Sequence, residues 1–166
     1  MNALWSCDCP GAAGVHRDEL GEKLERAGTV ICRRGGQFLL VRQRMRWSLP
    51  GGMLRAGEAP RECAQRELGE ETGLTARLLL YLWEFTGFSK RHYVFLAELE
   101  KDAQAQPLNE IRSCRWFHPS DKPTLLLSVP TRSILGLVSD HGDLLDTRGT
   151  MQFSTDEDTD ECKSST

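Results

Sequence analysis

The sequence has no apolar run long enough to span a membrane; "LLLYLW" and "QFLLV" stop far short of the ~20 residues that crossing requires. No basic lead-in precedes an apolar core at the N-terminus, where "MNALWSCDCPGAAG" stands, so a secretory signal is not expected and the cytoplasm is the default location. There is no C-x-x-C pair among the cysteines at 7, 9, 32, 63, 114 and 162. Cys7 and Cys9 offer two thiolates, which do not complete a tetrahedral site, and reduced thiols are the expectation. The histidines at 16, 92, 118 and 141 are scattered and suggest no ligand set. A basic excess is missing too: 21 Lys and Arg face 24 Asp and Glu. Long contacts with nucleic acid are therefore disfavoured, although a single 5′ end of RNA would need little charge.

What is present is an ordinary globular composition, 39% hydrophobic and 27% charged, on 166 residues, enough for one domain with a real core. The net charge of −3 is concentrated in the tail, where Asp156, Glu157, Asp158, Asp160 and Glu161 face Arg148 and Lys163. Three parts are expected: a peripheral segment over 1–27, a folded domain over 28–147, and an acidic, disordered tail over 148–166. The tail carries too little apolar surface to offset the entropy of ordering it.

"HRDELGEKLERAG" reads as polar and helical up to Gly28. "TVICRR" and "QFLLVRQR" read as strands joined at Gly35-Gly36, a hairpin signal. "WSLPGGM" reads as a tight loop because Pro50, Gly51 and Gly52 interrupt the pattern. A helix is expected from Ala59, with Pro60 in its first turn, to a left-handed glycine cap at Gly73. "ARLLLYLWEFTGF", "RHYVFLAELE" and "IRSCRWFHP" follow as strands, and "TRSILGLVSDHG" as a closing helix. That order predicts an α/β fold with a mixed sheet covered by helices.

The helix over 59–73 carries the chemistry. At ~100° per residue, Glu67, Glu70 and Glu71 fall within an arc of about 100°, while Ala64 and Leu68 face the core. Clustered carboxylates repel one another and partly neutralise unless something compensates. A hard divalent cation provides that compensation, since Mg²⁺ binds through a few carboxylates together with substrate phosphates. Arg66, beside them, can fix one carboxylate by a charge-assisted hydrogen bond. A solvated helix face is the plain alternative, but it leaves the Gly51-Gly52 loop, Glu58 and the Thr72-Gly73 ending unexplained.

The spacing separates the two readings. Gly52, five residues, Glu58, seven residues, then "RELGEETGL" matches every fixed position of the Nudix box, with Leu68 and Leu74 in its aliphatic slots. The sequence resembles the Nudix hydrolase family over residues 52–74, and the elements from about 28 to 142 suit that family's α/β/α sandwich. The resemblance implies a hydrolase of pyrophosphate linkages in a nucleoside diphosphate joined to a moiety X, dependent on Mg²⁺ or Mn²⁺. It implies that Arg66 orients Glu67, that Glu67, Glu70 and Glu71 bind metal with the Gly51 carbonyl, and that Glu58 and Gly52 are auxiliary. The base that deprotonates water is left open among Glu67, Glu71 and Glu110, the last in the later loop "PLNEIRSC".

Candidates for the substrate lie outside the box. Arg42, Arg44 and Arg46 alternate, and on one strand would share a face turned to the phosphates. Phe88, with Phe85 and Tyr93, can stack on a base, while Trp116 reads as core. Markers of ADP-ribose, dinucleoside polyphosphate and NADH specificity are missing, which leaves a nucleoside triphosphate-type substrate, including damaged or non-standard nucleotides. The alternatives are an ADP-ribose, nucleotide-sugar or dinucleoside polyphosphate pyrophosphatase, and a non-catalytic nucleotide sensor. The expected partner is a small nucleotide rather than a membrane or nucleic acid, and the chain admits a homodimer.

Overall fold

The computed structural model describes residues 24–140. The segment before them, with Cys7 and Cys9, and the acidic tail lie outside the described residues. Strand β1 (Glu25–Arg34) turns through Gly35-Gly36 into β2 (Gln37–Gln43). Both glycines have positive φ, 54° and 80°, the conformation a tight hairpin demands. β3 (Arg46–Ser48) and β4 (Gly51–Met53) follow, then helix α1 (Pro60–Thr72), β5 (Leu78–Thr86), β6 (Lys90–Glu98), β7 (Ser113–Phe117), a 3₁₀ turn (Pro119–Thr124) and α2 (Val129–Asp140).

β1 begins at Glu25, so the last residues of the polar segment expected to be helical are strand; they gain a parallel ladder to β6 from Glu25↔Lys90 through Cys32↔Ala97. The "WSLPGGM" stretch is also more regular than a loop. β1 and β2 stay paired only at Arg33↔Phe38 and Arg34↔Gln37. Beyond their turn they part, and residues 46–53 fill the gap: β3 pairs with β2 and β4 with β1. Pro50 cannot donate to a ladder, but its carbonyl accepts from the Val30 N–H at 2.8 Å.

The sheet is mixed, and its strands alternate their side chains between two layers. Val30, Cys32, Leu39, Phe95 and Ala97 face α1, where Ala64 and Leu68 are fully buried. Ile31, Phe38, Leu40, Val94 and Leu96 face α2, meeting Ile134, Leu135 and Val138. This is the α/β/α arrangement the sequence predicts. Helix α1 lies very close to β1: a Cβ at Gly28 would come 2.8 Å from the Ala64 nitrogen and 3.1 Å from the Cys63 sulfur.

Both ends of α1 follow the sequence. Pro60 occupies the first turn, where its missing N–H is no loss. Ala59 has no capping oxygen, but Glu62 reaches back to accept from the Ala59 N–H at 3.0 Å. Gly73 adopts φ 69°, and its N–H donates to the Gly69 carbonyl at 2.9 Å. The loop after β6 finishes that end. Asn109 donates to the Glu70 carbonyl at 2.6 Å, and the Gln106 and Leu108 amides donate to those of Thr72 and Glu71.

Candidate active site

The α1 acids stand in two environments. Arg66 lies at the centre of one, 16% exposed. Its Nε and Nη2 form a bidentate pair with Glu58 at 2.6 and 2.9 Å. Its Nη1 donates to Glu67 at 2.6 Å and to Glu70 at 3.0 Å, and Nη2 reaches the Met53 carbonyl at 3.1 Å. These bonds hold the Glu58 carboxyl down at about 2 and push the Arg66 guanidinium up. Glu70, 42% exposed, is shared with Arg55 at 3.1 Å.

Glu71 has no arginine partner in that cluster. It is 9% exposed and accepts one hydrogen bond, from the Gly51 N–H at 2.9 Å. Burial, opposed by that one bond and reinforced by the charges of Glu67, Glu110 and Glu70, pushes its carboxyl up to about 8. One helix therefore carries an arginine-clamped carboxylate at Glu67 and a buried one at Glu71 that resists ionisation.

β4 brings the two glycines of the motif against these acids. A Cβ at Gly52 would overlap the Glu67 carboxylate, and one at Gly51 would strike the Gly28 carbonyl. Gly51 also has φ 151°, a backbone region where L side chains are strained. On their other side, Gly51 and Gly52 border a cavity of about 790 Å³. It lies on the α2 face of the sheet, between Thr29 and His92, the β5–β6 turn from Phe85 to Lys90, and the start of α2 from Ser128 to Ile134. Gly51 and Gly52 thus both border the cleft and meet the Glu71 and Glu67 carboxylates.

Three of the expected substrate residues are not gathered here. Arg44 sits at the β2–β3 turn with φ 56°, so Arg42, Arg44 and Arg46 do not follow one another on a single strand. The shared face expected for them is absent because the chain reverses between β2 and β3, with Gln43 paired to Arg46. Arg42 is used structurally, 5.3 Å over the Trp47 ring and donating to Ser113 at 3.1 Å. Arg44 and Arg46 are exposed, and neither lines the cleft. Phe88 does line it, fully exposed at the rim. Glu110 is exposed and lies close enough to raise the Glu71 carboxyl. Trp116 packs against the α1-side core beneath the Arg34 guanidinium.

Sequence reasoning missed Arg55 as the second partner of Glu70, and it missed the cleft floor. Thr29 Oγ1 and His92 Nδ1 are 3.0 Å apart. A signal existed: by strand alternation Thr29 shares a face with Ile31, and His92 with Val94, so two polar residues fall on an apolar face.

Comparisons with known proteins give the family. A family model described as the NUDIX domain matches residues 23–134. The chain belongs to the Nudix family. YtkD of Bacillus subtilis, provisionally named an 8-oxo-dGTP diphosphatase, is 33% identical over 94 residues, covering 54% of this chain and 60% of that protein. The phosphatase NudJ of Escherichia coli K12 is 35% identical over 102 residues, with coverage of 53% and 65%. The Nudix chain thus spans less than two thirds of the length of these relatives. Among solved structures, one from Chromobacterium violaceum, provisionally assigned as a Nudix hydrolase, superimposes with a TM-score of 0.64 at 31% identity. That match covers 70% of this chain and 77% of the other.

The donor chemistry suits a hard divalent ion, since Glu71 and Glu67 bring carboxylate oxygens against Gly51 and Gly52. Among the described residues no three His, Cys, Asp or Glu side chains already stand as a ligand set. Arg66 and Arg55 hold Glu67 and Glu70 in ion pairs. A cation placed here would have to draw carboxylate oxygens away from arginine.

Among the described residues, no helix is long and apolar enough to cross a membrane.

Proposed function

We propose that the protein hydrolyses a pyrophosphate linkage in a nucleoside diphosphate joined to X, with Mg²⁺ or Mn²⁺, and that nucleoside triphosphate-type molecules are its substrates. The observation that carries this reading is the pairing on α1 of an arginine-held carboxylate, Glu67, with a buried one, Glu71, directly behind the glycines that wall the cleft. Glu67, Glu70 and Glu71 would hold the cation, joined by the Gly51 carbonyl. Bound there, a divalent cation would neutralise the phosphate oxygens and lower the pKa of attacking water.

The chain's own groups do the rest. Arg66 keeps Glu58 ionised and holds Glu67 aimed. Gly52 leaves room for the Glu67 carboxylate and for a phosphate chain, since any side chain there would collide with Glu67. Glu71 or Glu110 receives the proton of the attacking water; Glu71 is buried beside Gly51, while Glu110 approaches from the solvent side. Phe88 lies against the nucleoside at the rim of the cleft, and Arg44 and Arg46 hold nothing in the reacting complex. The provisional name of YtkD, an 8-oxo-dGTP diphosphatase, supports the triphosphate class.

The test is a turnover screen of the purified chain with Mg²⁺ and with Mn²⁺, against triphosphates, ADP-ribose, nucleotide sugars and dinucleoside polyphosphates, with products identified by mass. Release of a nucleoside monophosphate and pyrophosphate from triphosphates is expected. Hydrolysis of ADP-ribose or nucleotide sugars alone would transfer the activity to that class, and silence on every class at high enzyme would end the reading.

A further inference from the structure

The cleft has a floor that the phosphate chemistry does not use. Thr29 is 6% exposed, and its hydroxyl sits 3.0 Å from Nδ1 of His92. The other ring nitrogen, Nε2, is buried and has no hydrogen-bond partner among the described residues. A buried polar atom without a partner costs about 1–3 kcal/mol, so an orphan on a side chain that lines a cavity marks a place where a ligand atom belongs. Both residues line the 790 Å³ cleft. Burial and the nearby Lys90 push the ring below the usual histidine range, which favours its neutral form.

The rest of the lining narrows the chemistry. Its polar side chains are the hydroxyls of Thr29, Ser48, Thr86, Ser89, Ser128, Thr131 and Ser133, with Lys90 and His92. Among the described residues it includes no Asp, Glu, Asn or Gln. Those four types read the amino groups of adenine, cytosine and guanine, because they accept from N–H donors at fixed geometry. Part of the hydroxyl set is already committed: Thr131 accepts from the Leu49 N–H at 2.9 Å and from Ser128 at 2.9 Å.

We propose that Thr29 donates to Nδ1 of His92 and thereby fixes Nε2–H as the donor that reads a keto oxygen on the substrate's base, so that keto bases are selected over their amino counterparts. This rests on the reading of the cleft as the nucleoside side of a Nudix site and supplies the class of base. His92 is a specificity residue, remote from the reacting phosphorus, and Thr29 acts through it. An amino group at the same position would set two donors against each other, and a site built for a hydrogen bond rejects the analogue that lacks it.

The experiment compares two pairs of triphosphates that differ by one exocyclic group, ITP with ATP and UTP with CTP, on wild type, His92→Phe and Thr29→Val. Wild type is expected to favour the keto member of at least one pair by about tenfold in kcat/KM, the loss of roughly one hydrogen bond. His92→Phe should erase that preference by raising KM for the keto substrate while kcat and Tm hold. Thr29→Val, which keeps the side-chain volume, should weaken it severalfold and remains informative if His92→Phe unfolds. No keto preference in wild type, or a preference untouched in both folded variants, overturns the proposal.

A second arm follows the His92 imidazole by ¹⁵N NMR as ITP, ATP, UTP and CTP are added without metal. A shift with ITP and UTP alone, from a protein that turns over none of them, would remove the hydrolase reading and leave the base-reading floor standing. Neither turnover nor a shift removes both.

Discussion

The two faces of the sheet hold their polar groups in opposite ways. On the α1 face charge is dense and paired: Glu58, Glu67 and Glu70 all meet Arg66, and Glu70 meets Arg55 as well. On the α2 face the cleft is lined mainly by hydroxyls and small residues, with one buried histidine nitrogen unmatched. The first arrangement provides one kind of chemistry whatever the nucleoside, since phosphate and metal are the same in every substrate of this class. The second provides selection. β4 belongs to both, and its glycines let the two sets of groups meet across a single backbone.

The largest break in this division should come from the α1 face. Glu70→Gln and Glu71→Gln are each expected to lower kcat by about 10² or more, with KM for different bases shifting in parallel. Steady-state kinetics on a keto and an amino substrate check this. Unchanged rates in both variants would take these acids out of the site, and a change in base preference would mean the faces are not separate.

Next in size is Arg66→Ala, which leaves Glu58 and Glu67 without their shared cation. Turnover is expected to fall about 100-fold through misplacement of Glu67. Since Arg66 acts through its neighbours, acid stability is the second readout. Glu58 lies at about 2 in the folded protein against an ordinary 4.5. It therefore stabilises the fold above pH 4.5, and that stability is lost as pH falls toward 2. Arg66→Ala should flatten the loss, seen as Tm followed from pH 5 to pH 2; an unaltered acid limb would deny the clamp its role.

Glu71 gives the opposite slope. Its folded carboxyl titrates near 8 and its unfolded one near 4.5, so the folded state keeps the proton longer. Below pH 4.5 both states are protonated and nothing changes; from 4.5 to 8 metal-free stability falls as pH rises. Mg²⁺ bound to the ionised carboxylate reverses this, so the gain in Tm on adding Mg²⁺ should be larger at pH 8 than at pH 5. Glu71→Gln should remove the metal-free slope and most of the gain. Equal gains at both pH values would separate Glu71 from the metal.

The α1 face was legible in the sequence because its function depends on local spacing. Residues 52–74 keep glycine, arginine and glutamates in a fixed register on one loop and one helix, and Pro60 and Gly73 mark where that helix starts and stops. The cleft depends on residues 63 apart, Thr29 and His92, brought together by the parallel pairing of β1 with β6. Strand alternation puts each on the α2 face, but no local pattern says which strands are neighbours. The wedge of β3 and β4 escaped for a related reason. Pro50 and two glycines look like a turn, and it is the parting of β1 and β2 that turns them into strand.

The smallest effect belongs to the arginines of the β2–β3 turn, and it tests whether charge near the cleft suffices to bind phosphate. Arg44 holds a left-handed φ of 56°, a conformation glycine adopts freely. Arg44→Gly should therefore change KM less than about twofold while raising stability by about 0.5–1 kcal/mol through relieved backbone strain. Arg46→Ala should be nearly silent in both, because its exposed side chain neither lines the cleft nor packs on the core. Arg42→Ala differs from them: it removes the cation over Trp47 and the bond to Ser113, so its cost falls on Tm, with KM little changed. A tenfold rise in KM for Arg44→Gly or Arg46→Ala, with Tm steady, would mean that the hairpin folds over the bound phosphates and that the catalytic face extends beyond α1.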